Sequence, residues 1–207
     1  MSALNATWLA ETFGSSATIL NWNTVGAKTG ALTVVAANAP LFAFRNSGSN
    51  IAWLIELAVA FNLTTPFSSP QAIDPGLFVC RAFSAPDSGG VQIVLSGVSN
   101  NGRRRTLQTP FSSCDMRVAA GAPLVAGVRT PDVTPVGIVE GWTAAAAGST
   151  IPMSDLFAYK EPVDYPLVFA PGEGFEVQFL SAMGAGGVGV LYVVATLAEI
   201  SGPSFPI

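Results

Sequence analysis

The stretch that decides the fold is Ile51–Leu63, which reads IAWLIELAVAFNL. Every second residue, beginning with Ile51, is large and apolar, and most of the residues between them are small or polar. A period of two indicates a β-strand with one buried face, because a helix would scatter these side chains around its circumference. The stretch is long for one strand, and a bend or β-bulge would accommodate that length. The sequence therefore predicts that the odd-numbered residues, Trp53 among them, pack on one core face.

Two later segments carry related patterns. Phe175–Phe179 alternates aromatic or apolar residues with Glu176 and Gln178, which predicts a half-buried strand. The run Val188–Leu197 is apolar at both parities and rich in β-branched residues, as is typical of a strand covered on both faces. We expect one cover to be the core and the other a neighbouring sheet or subunit, and we favour a subunit.

Shorter strand-like runs fill the rest of the chain, each bounded by turn-forming residues. They are Thr18–Asn23, Ala31–Ala37, Leu41–Arg45, Gly76–Phe83, Val91–Val98, Arg103–Thr109, Asp115–Ala119, Pro135–Trp142 and Tyr165–Ala170. The pair Asn101-Gly102 is typical of a type I′ turn, so Val91–Thr109 is predicted to be a β-hairpin. Met153–Tyr159 is predicted to be a short helical turn or a surface loop.

These patterns predict one all-β domain. Many short strands, 21 glycines, 15 prolines and no helical period favour an antiparallel β-sandwich, jelly-roll-like, with about eight to ten strands. We place the domain at residues 17–200, between an N-terminal arm at 1–16 and a C-terminal tail at 201–207. The arm and the tail are expected to dock on neighbouring subunits through their apolar side chains, Trp8, Phe13, Phe205 and Ile207.

The composition indicates an assembly. Charged residues make up 11% of the chain, against about 25% in ordinary soluble proteins, and apolar residues make up 50%. Such a sparsely charged surface favours cover by other subunits. A net charge of −4 with nine basic residues argues against nucleic acid as the main partner. No apolar run reaches the ~20 residues of a membrane-spanning helix, and no signal peptide is visible, so we expect assembly in a cytoplasm.

The side chains of most catalytic systems are missing. The sequence contains no histidine, which removes Ser-His-Asp and Cys-His nucleophilic systems and histidine-ligated metals. Cys80 and Cys114 are too few for a disulfide scaffold or a thiolate metal site, and we expect free buried thiols, with pairing left open. The sequence therefore predicts no enzyme activity, no cofactor, no metal and no small-molecule substrate.

Three motifs resemble functional sites but have structural explanations. Gly184–Gly189 matches the dinucleotide-binding pattern G-x-G-x-x-G, yet a strand follows it instead of a helix, so it predicts a hairpin connection. Glu173 and Glu176 could form a glycosidase pair, but three positions apart on a strand they point to opposite faces. Asp87, in an Asp-Ser-Gly-Gly sequence, is expected to form a turn.

Two surface features bear on binding. Arg103, Arg104 and Arg105 form the basic cluster, and on a strand Arg104 points away from the other two. Inter-subunit salt bridges or a solvated face are expected there, with contact to packaged nucleic acid as the alternative. Trp142 follows a glycine at a strand end and is the tryptophan expected to be exposed, which supports the alternative of a carbohydrate-binding module.

Several segments together carry a resemblance to known proteins: Arg81–Gly90, Asn100–Arg105, Asp115–Ala119, Gly127–Thr130, Tyr165–Val168 and Gly172–Val177. Through them the chain resembles, from about Phe42 to Glu199, a group of small proteins encoded among the virion genes of tailed bacteriophages. The chain departs from the group at Leu197-Ala198-Glu199, where the group often has a tryptophan before an acidic residue. The resemblance implies a jelly-roll-like virion component without catalytic residues.

We therefore expect a capsid decoration or cement protein, a homotrimer located in the virion that contacts itself and the major capsid protein. The alternative within the virion is a tail, neck or fibre-attachment component. The expected inter-subunit or shell contacts are Trp8, Phe13, Arg103, Arg104, Arg105, Trp142, Phe205 and Ile207.

Overall fold

The computed structural model describes residues 18–95, 102–104, 114–125, 127–146, 148–160 and 166–201, and in these ranges the protein is all-β. The strands are β1 (Thr18–Lys28), β2 (Pro40–Asn46), β3 (Ile51–Thr65), β4 (Gln71–Ile73), β5 (Pro75–Arg81), β6 (Val91–Gln92), β7 (Gly102–Arg104), β8 (Cys114–Val118), β9 (Thr130–Pro131), β10 (Gly137–Ile138), β11 (Gly141–Thr143), β12 (Thr150–Ala158), β13 (Leu167–Phe169), β14 (Gly174–Phe179) and β15 (Val188–Ser201). The predicted antiparallel sandwich is confirmed. The strands outnumber the eight to ten expected, because several span only two or three residues.

Two antiparallel sheets form the sandwich. Sheet 1 has the order β12-β3-β15-β1-β7, with β13 also paired to β3. Sheet 2 has the order β10-β5-β14-β2-β8-β6, with β9 also paired to β5, and a small sheet joins β11 to β4. The long strands alternate between the sheets along the chain: β1, β3, β12 and β15 lie in sheet 1, and β2, β5 and β14 in sheet 2. This alternation is a jelly-roll-like winding.

The core lies between the two sheets. Sheet 2 contributes aromatic rings to it, and the rings of Phe44 and Phe175 stack with centroids 5.4 Å apart. The ring centroids of Phe169 and Phe175 are 5.5 Å apart. The ring of Phe61 in sheet 1 meets the ring of Phe179 edge-on, with the centroids 5.9 Å apart. Burial of each ring contributes about 1.5–3 kcal/mol, so this aromatic group is a main source of the stability of the sandwich.

The strand β3 contains the expected bulge. Its register with β15 shifts so that Leu54 faces Leu197 and Glu56 faces Thr196, which leaves Ile55 as an extra residue. The odd-numbered residues from Leu57 onward therefore face the core, whereas Trp53 lies in a second buried cluster with Ile51. Burial of Trp53 is confirmed, but its predicted position on the same face as Leu57 is wrong, because the bulge reverses the alternation.

The predicted hairpin Val91–Thr109 is wrong. Its two ends lie in different sheets: β6 pairs with β8 in sheet 2, and β7 pairs with β1 in sheet 1. The turn residues Asn100 and Asn101 lie outside the described residues. The connection from β5 to β9 thus adds strands to both sheets.

Three further expectations changed. Met153–Tyr159 is neither a helical turn nor a loop, because most of it belongs to β12, which pairs with β3 and has two register shifts that obscure its alternation. Ala31–Ala37 forms only isolated bridges, at Leu32 and Val35. Gly184–Gly189 connects β14 in sheet 2 to β15 in sheet 1, so it is not a hairpin connection.

Replacing Gly137 with alanine should destabilise the sandwich. The added Cβ would lie 1.8 Å from the carbonyl oxygen of Leu156, which belongs to β12 at the edge of sheet 1. We expect a loss of about 1–3 kcal/mol in the free energy of unfolding, measured by urea denaturation. Gly26→Ala is the control, because no atom lies within 4 Å of its added Cβ. Equal losses in the two variants would contradict the close contact between β10 and β12.

Candidate functional site

The connection between β5 and β9 crosses the outer face of sheet 2. We call residues 82–90, 124–125 and 127–129 of this connection the strap. Phe83 and Leu124 of the strap are buried against Ala43 and Cys80 of the sheet. The chain enters the strap through Ala82, whose φ of 47° is uncommon for a residue other than glycine. The strap therefore covers a face that would otherwise meet solvent.

A charge cluster is buried under the strap. Arg129 of the strap forms ion pairs with Asp87, also of the strap, and with Glu176 of β14. The side chains are 4%, 1% and 1% exposed, respectively. The backbone N–H of Gly127 donates to Oδ1 of Asp87 at 2.7 Å, and the guanidinium lies 5.1 Å from the ring centroid of Phe83, a cation–π contact. The cluster thus joins both halves of the strap to sheet 2.

The charges in this cluster do not balance. Two carboxyl groups face one guanidinium where water is excluded. Burial raises the pKa of Glu176, although Arg129 and a hydrogen bond from Gln178 act in the opposite direction. Oε2 of Glu176 contacts Arg129 without hydrogen-bond geometry, and Oδ2 of Asp87 has no hydrogen-bond partner within the described part of the chain. Burial therefore makes the charged form of Glu176 less favourable than it is in water.

The sequence predicted the environment of Glu173 but not the burial of Glu176 or the ion pair of Asp87. Glu173 and Glu176 have different environments, as expected: Oε2 of Glu173 accepts a hydrogen bond from the N–H of Ala170 at 2.9 Å in the turn before β14. The strand β14 is buried on both faces, so its predicted half-burial is wrong. The reason is the strap, which covers Glu176. Asp87 lies in a loop, as expected, and also binds Arg129. The two residues are 42 positions apart, and nothing in the sequence indicated that they pair.

A second polar cluster is buried at the end of β15. Glu199 accepts hydrogen bonds from Asn21 of β1 and, at 2.8 Å, from Asn50, and Asn23 donates to Asn21 at 3.2 Å. Neutral amides therefore surround this carboxylate and tie β15 to β1 and to the turn before β3. Burial, together with Glu199, raises the pKa of Cys114 to about 12. This cluster fits a structural role.

Both cysteines are free. Cys80 is buried, as predicted, whereas Cys114 is only partly buried. Burial and the neighbouring Glu176 raise the pKa of Cys80 strongly, so neither thiol is activated as a nucleophile.

Exposed apolar side chains are concentrated in one segment of the chain, which includes β10 at the edge of sheet 2. Six of the eleven large ones that the described residues expose lie between Val125 and Trp142. We call four of them, Val133, Val136, Ile138 and Trp142, the apolar strip. Val133 is 97% exposed and Trp142 69%, which confirms the predicted exposure of Trp142. Between the strip residues, Gly137 and Gly141 approach Leu156 and Ile151, so large side chains face solvent and glycines face the protein.

The other predicted contact residues are not brought together by the described structure. Arg103 and Arg104 lie on β7, opposite Thr24 and Asn23 of β1, and their side chains lie outside the description. The remaining ones also lie outside the described residues: Trp8, Phe13, Arg105, Phe205 and Ile207. Their contacts, and the docking of the arm and the tail, stay predictions. The strand β15 runs to Ser201, one residue past the expected end of the domain.

Comparison with protein-family models gives no match, and no curated protein matches the chain. The described residues contain no helix that could cross a membrane. They also contain no group of three His, Cys, Asp or Glu side chains placed to hold a metal ion.

Arg129→Met should strongly destabilise the protein, because it leaves two buried carboxyl groups without their cation. We expect a loss of about 3–5 kcal/mol in the free energy of unfolding, measured by urea denaturation. Arg81→Met is the matched control: Arg81 pairs with Asp132 at 3.2 Å, but its side chain is 60% exposed. An exposed pair contributes about 1 kcal/mol or less, so similar losses in both variants would contradict the special role of Arg129.

Proposed function

We propose that this chain is a non-enzymatic structural protein of a tailed-bacteriophage virion, a decoration or cement protein that oligomerises and stabilises the capsid shell. The observation that carries the proposal is the apolar strip on a sparsely charged, jelly-roll-like sandwich. The resemblance to phage virion proteins supports the same role. Repeated apolar contacts between subunits can hold a shell without any single strong site.

The size of the strip fits the centre of a subunit interface. At their exposures, the four side chains together present on the order of 400–500 Å² of surface, similar to the largest apolar patch of a typical monomer, which is often a functional one. A stable interface takes about 800 Å² from each partner, including a polar rim. Thr134, Pro135 and Glu140 lie along the same segment and would supply part of that rim.

The partner that we propose for the strip is a second copy of this chain. Symmetric oligomers bury the same patch on every subunit, which suits a chain with only 11% charged residues. The strip includes Ile138 of β10, an edge strand of sheet 2. Gly137 and Gly141, which lie between the strip residues, face the protein, so the large side chains of this segment are available to a partner. The proposed oligomer is a homotrimer, which binds the major capsid protein through another surface.

Two alternatives remain. A tail, neck or fibre-attachment protein would use the same kind of contacts with a different copy number. The exposed ring of Trp142 favours a carbohydrate-binding module, because aromatic rings stack on sugars. A change in tryptophan fluorescence on adding glycans, lost in Trp142→Ala, would support that second function.

Quantitative mass spectrometry of purified particles tests the virion role. We expect a ratio to the major capsid protein of one or a simple fraction, because a decoration protein follows the symmetry of the shell. A few copies per particle would move the protein to the tail or neck. Its absence from particles would overturn the proposal.

Ile138→Lys should dissociate the oligomer, because it places a charge in the apolar strip. We expect at least a tenfold rise in the dissociation constant, equivalent to about 1.4 kcal/mol, measured by light scattering over a concentration series. Val91→Lys is the matched control, since Val91 is 55% exposed against 53% for Ile138 and lies on β6 at the opposite edge of sheet 2. An intact oligomer that no longer binds particles would instead assign the strip to the shell.

A further inference from the structure

We propose that the strap is a proton-dependent clamp: it stays closed over sheet 2 while the Asp87–Arg129–Glu176 cluster holds a proton, and it opens when the cluster loses that proton. The proposal is independent of the virion role, because it rests on contacts within a single chain.

The strap is attached to sheet 2 through β5 and β9, and lifting it also breaks the backbone hydrogen bond of Leu124. The N–H of Leu124 donates to the carbonyl of Pro40 at 2.8 Å, and β9 pairs with β5 where the strap ends. Within the strap, Ser88 and Val125 exchange two backbone hydrogen bonds of 3.0 Å. The two halves of the strap are therefore tied to each other. Besides the apolar contacts of Phe83 and Leu124, Arg129 joins the strap to Glu176 of the sheet.

The charges around Glu176 leave one cation for two acids. The titratable and charged groups on the outer face of sheet 2 near Glu176 are Cys80 on β5, Arg45 on β2, Asp115 and Arg117 on β8, and Asp87 and Arg129 in the strap. Nε of Arg45 donates to the carbonyl of Phe83 at 2.7 Å, and Arg117 pairs with Asp115 at 3.1 Å. Arg129 is the arginine that forms ion pairs with both Asp87 and Glu176.

A proton on Glu176 makes the cluster neutral. Burial raises the pKa of this group, so the folded protein binds the proton more tightly than the unfolded chain does. The stabilisation is therefore complete in acid, below the ordinary pKa of a glutamate, and is lost as the pH rises through the raised value. Without the proton, a net negative charge remains buried, and lifting the strap lets water reach it.

The thiol of Cys80 reports on the strap. Its side chain is buried beneath Phe83 and Leu124, so a reagent reaches it only when the strap opens. Alkylation by iodoacetamide can be followed in a Cys114→Ser background, where Cys80 is the sole cysteine. The charge of Glu176 also raises the pKa of Cys80 directly. Removing that charge without any change in the strap would therefore speed the alkylation of Cys80.

The experiment compares Glu176→Gln with its parent between pH 7 and pH 9. We expect Cys80 to react about tenfold more slowly in the variant at pH 9, because the variant has no carboxyl group to lose a proton and its strap stays closed. Removal of the charge alone would lower the pKa of Cys80 and speed the reaction, so an equal or faster rate in Glu176→Gln would overturn the proposal. Asp132→Asn is the control, because it removes the same charge from an exposed pair with Arg81 and should leave the rate unchanged.

Hydrogen exchange of the unmodified protein provides a test that needs no variant. After correction for the intrinsic pH dependence of exchange, protection of the Phe83 and Leu124 amides, which donate to Gly172 and Pro40 outside the strap, should fall as the pH rises. Protection of the Val193 amide in β15 should stay constant. Protection of the strap amides that does not change with pH would overturn the clamp.

Asp87→Asn removes the other carboxylate of the cluster. Alkylation of Cys80 should be slower in this variant than in the parent, as in Glu176→Gln.

Discussion

The pairing of β3 with β15 is the constraint on which the rest of the molecule depends. It extends from Ile51 opposite Ile200 to Thr65 opposite Val188, and it holds the middle of sheet 1 together. The extra residue Ile55 determines which side chains reach the core, because it moves the side chains that follow it to the opposite face of the strand. The aromatic rings of sheet 2 pack against the face that results. One inserted residue therefore gives sheet 1 two buried clusters, one on each side.

Much of the fold could be predicted because apolar alternation is a local property. The patterns at Leu41–Arg45, Ile51–Leu63 and Phe175–Phe179 all correspond to long strands of the sandwich. The pairing of strands is not a local property, and the sequence predicted it wrongly at Asn101-Gly102. This motif is typical of a turn but does not indicate which sheet each flanking strand joins. The register shifts in β12 hide its alternation, so the segment after Met153 gave no strand signal.

The charged cluster could not be predicted for a related reason. Its members come from three distant parts of the chain, and each has an ordinary local explanation: Asp87 beside turn residues, Arg129 as a single base, and Glu176 on the polar side of an alternating strand. Only the strap over sheet 2 makes all three buried. The exposure of Trp142 was predictable, because the neighbouring Gly141 leaves the segment without bulk on its inner side.

The position of β15 has a consequence for how the protein is made. This strand lies between β3 and β1, so those two strands have no hydrogen bonds to each other and depend on it as a bridge. During synthesis β15 leaves the ribosome after all the other described strands, and sheet 1 cannot close before then. Until that moment the nascent chain presents the apolar face of β3 and two open strand edges, the features that promote association between unfinished chains. The time between synthesis of β3 and release of β15 is therefore the period in which we expect this protein to be most prone to aggregation.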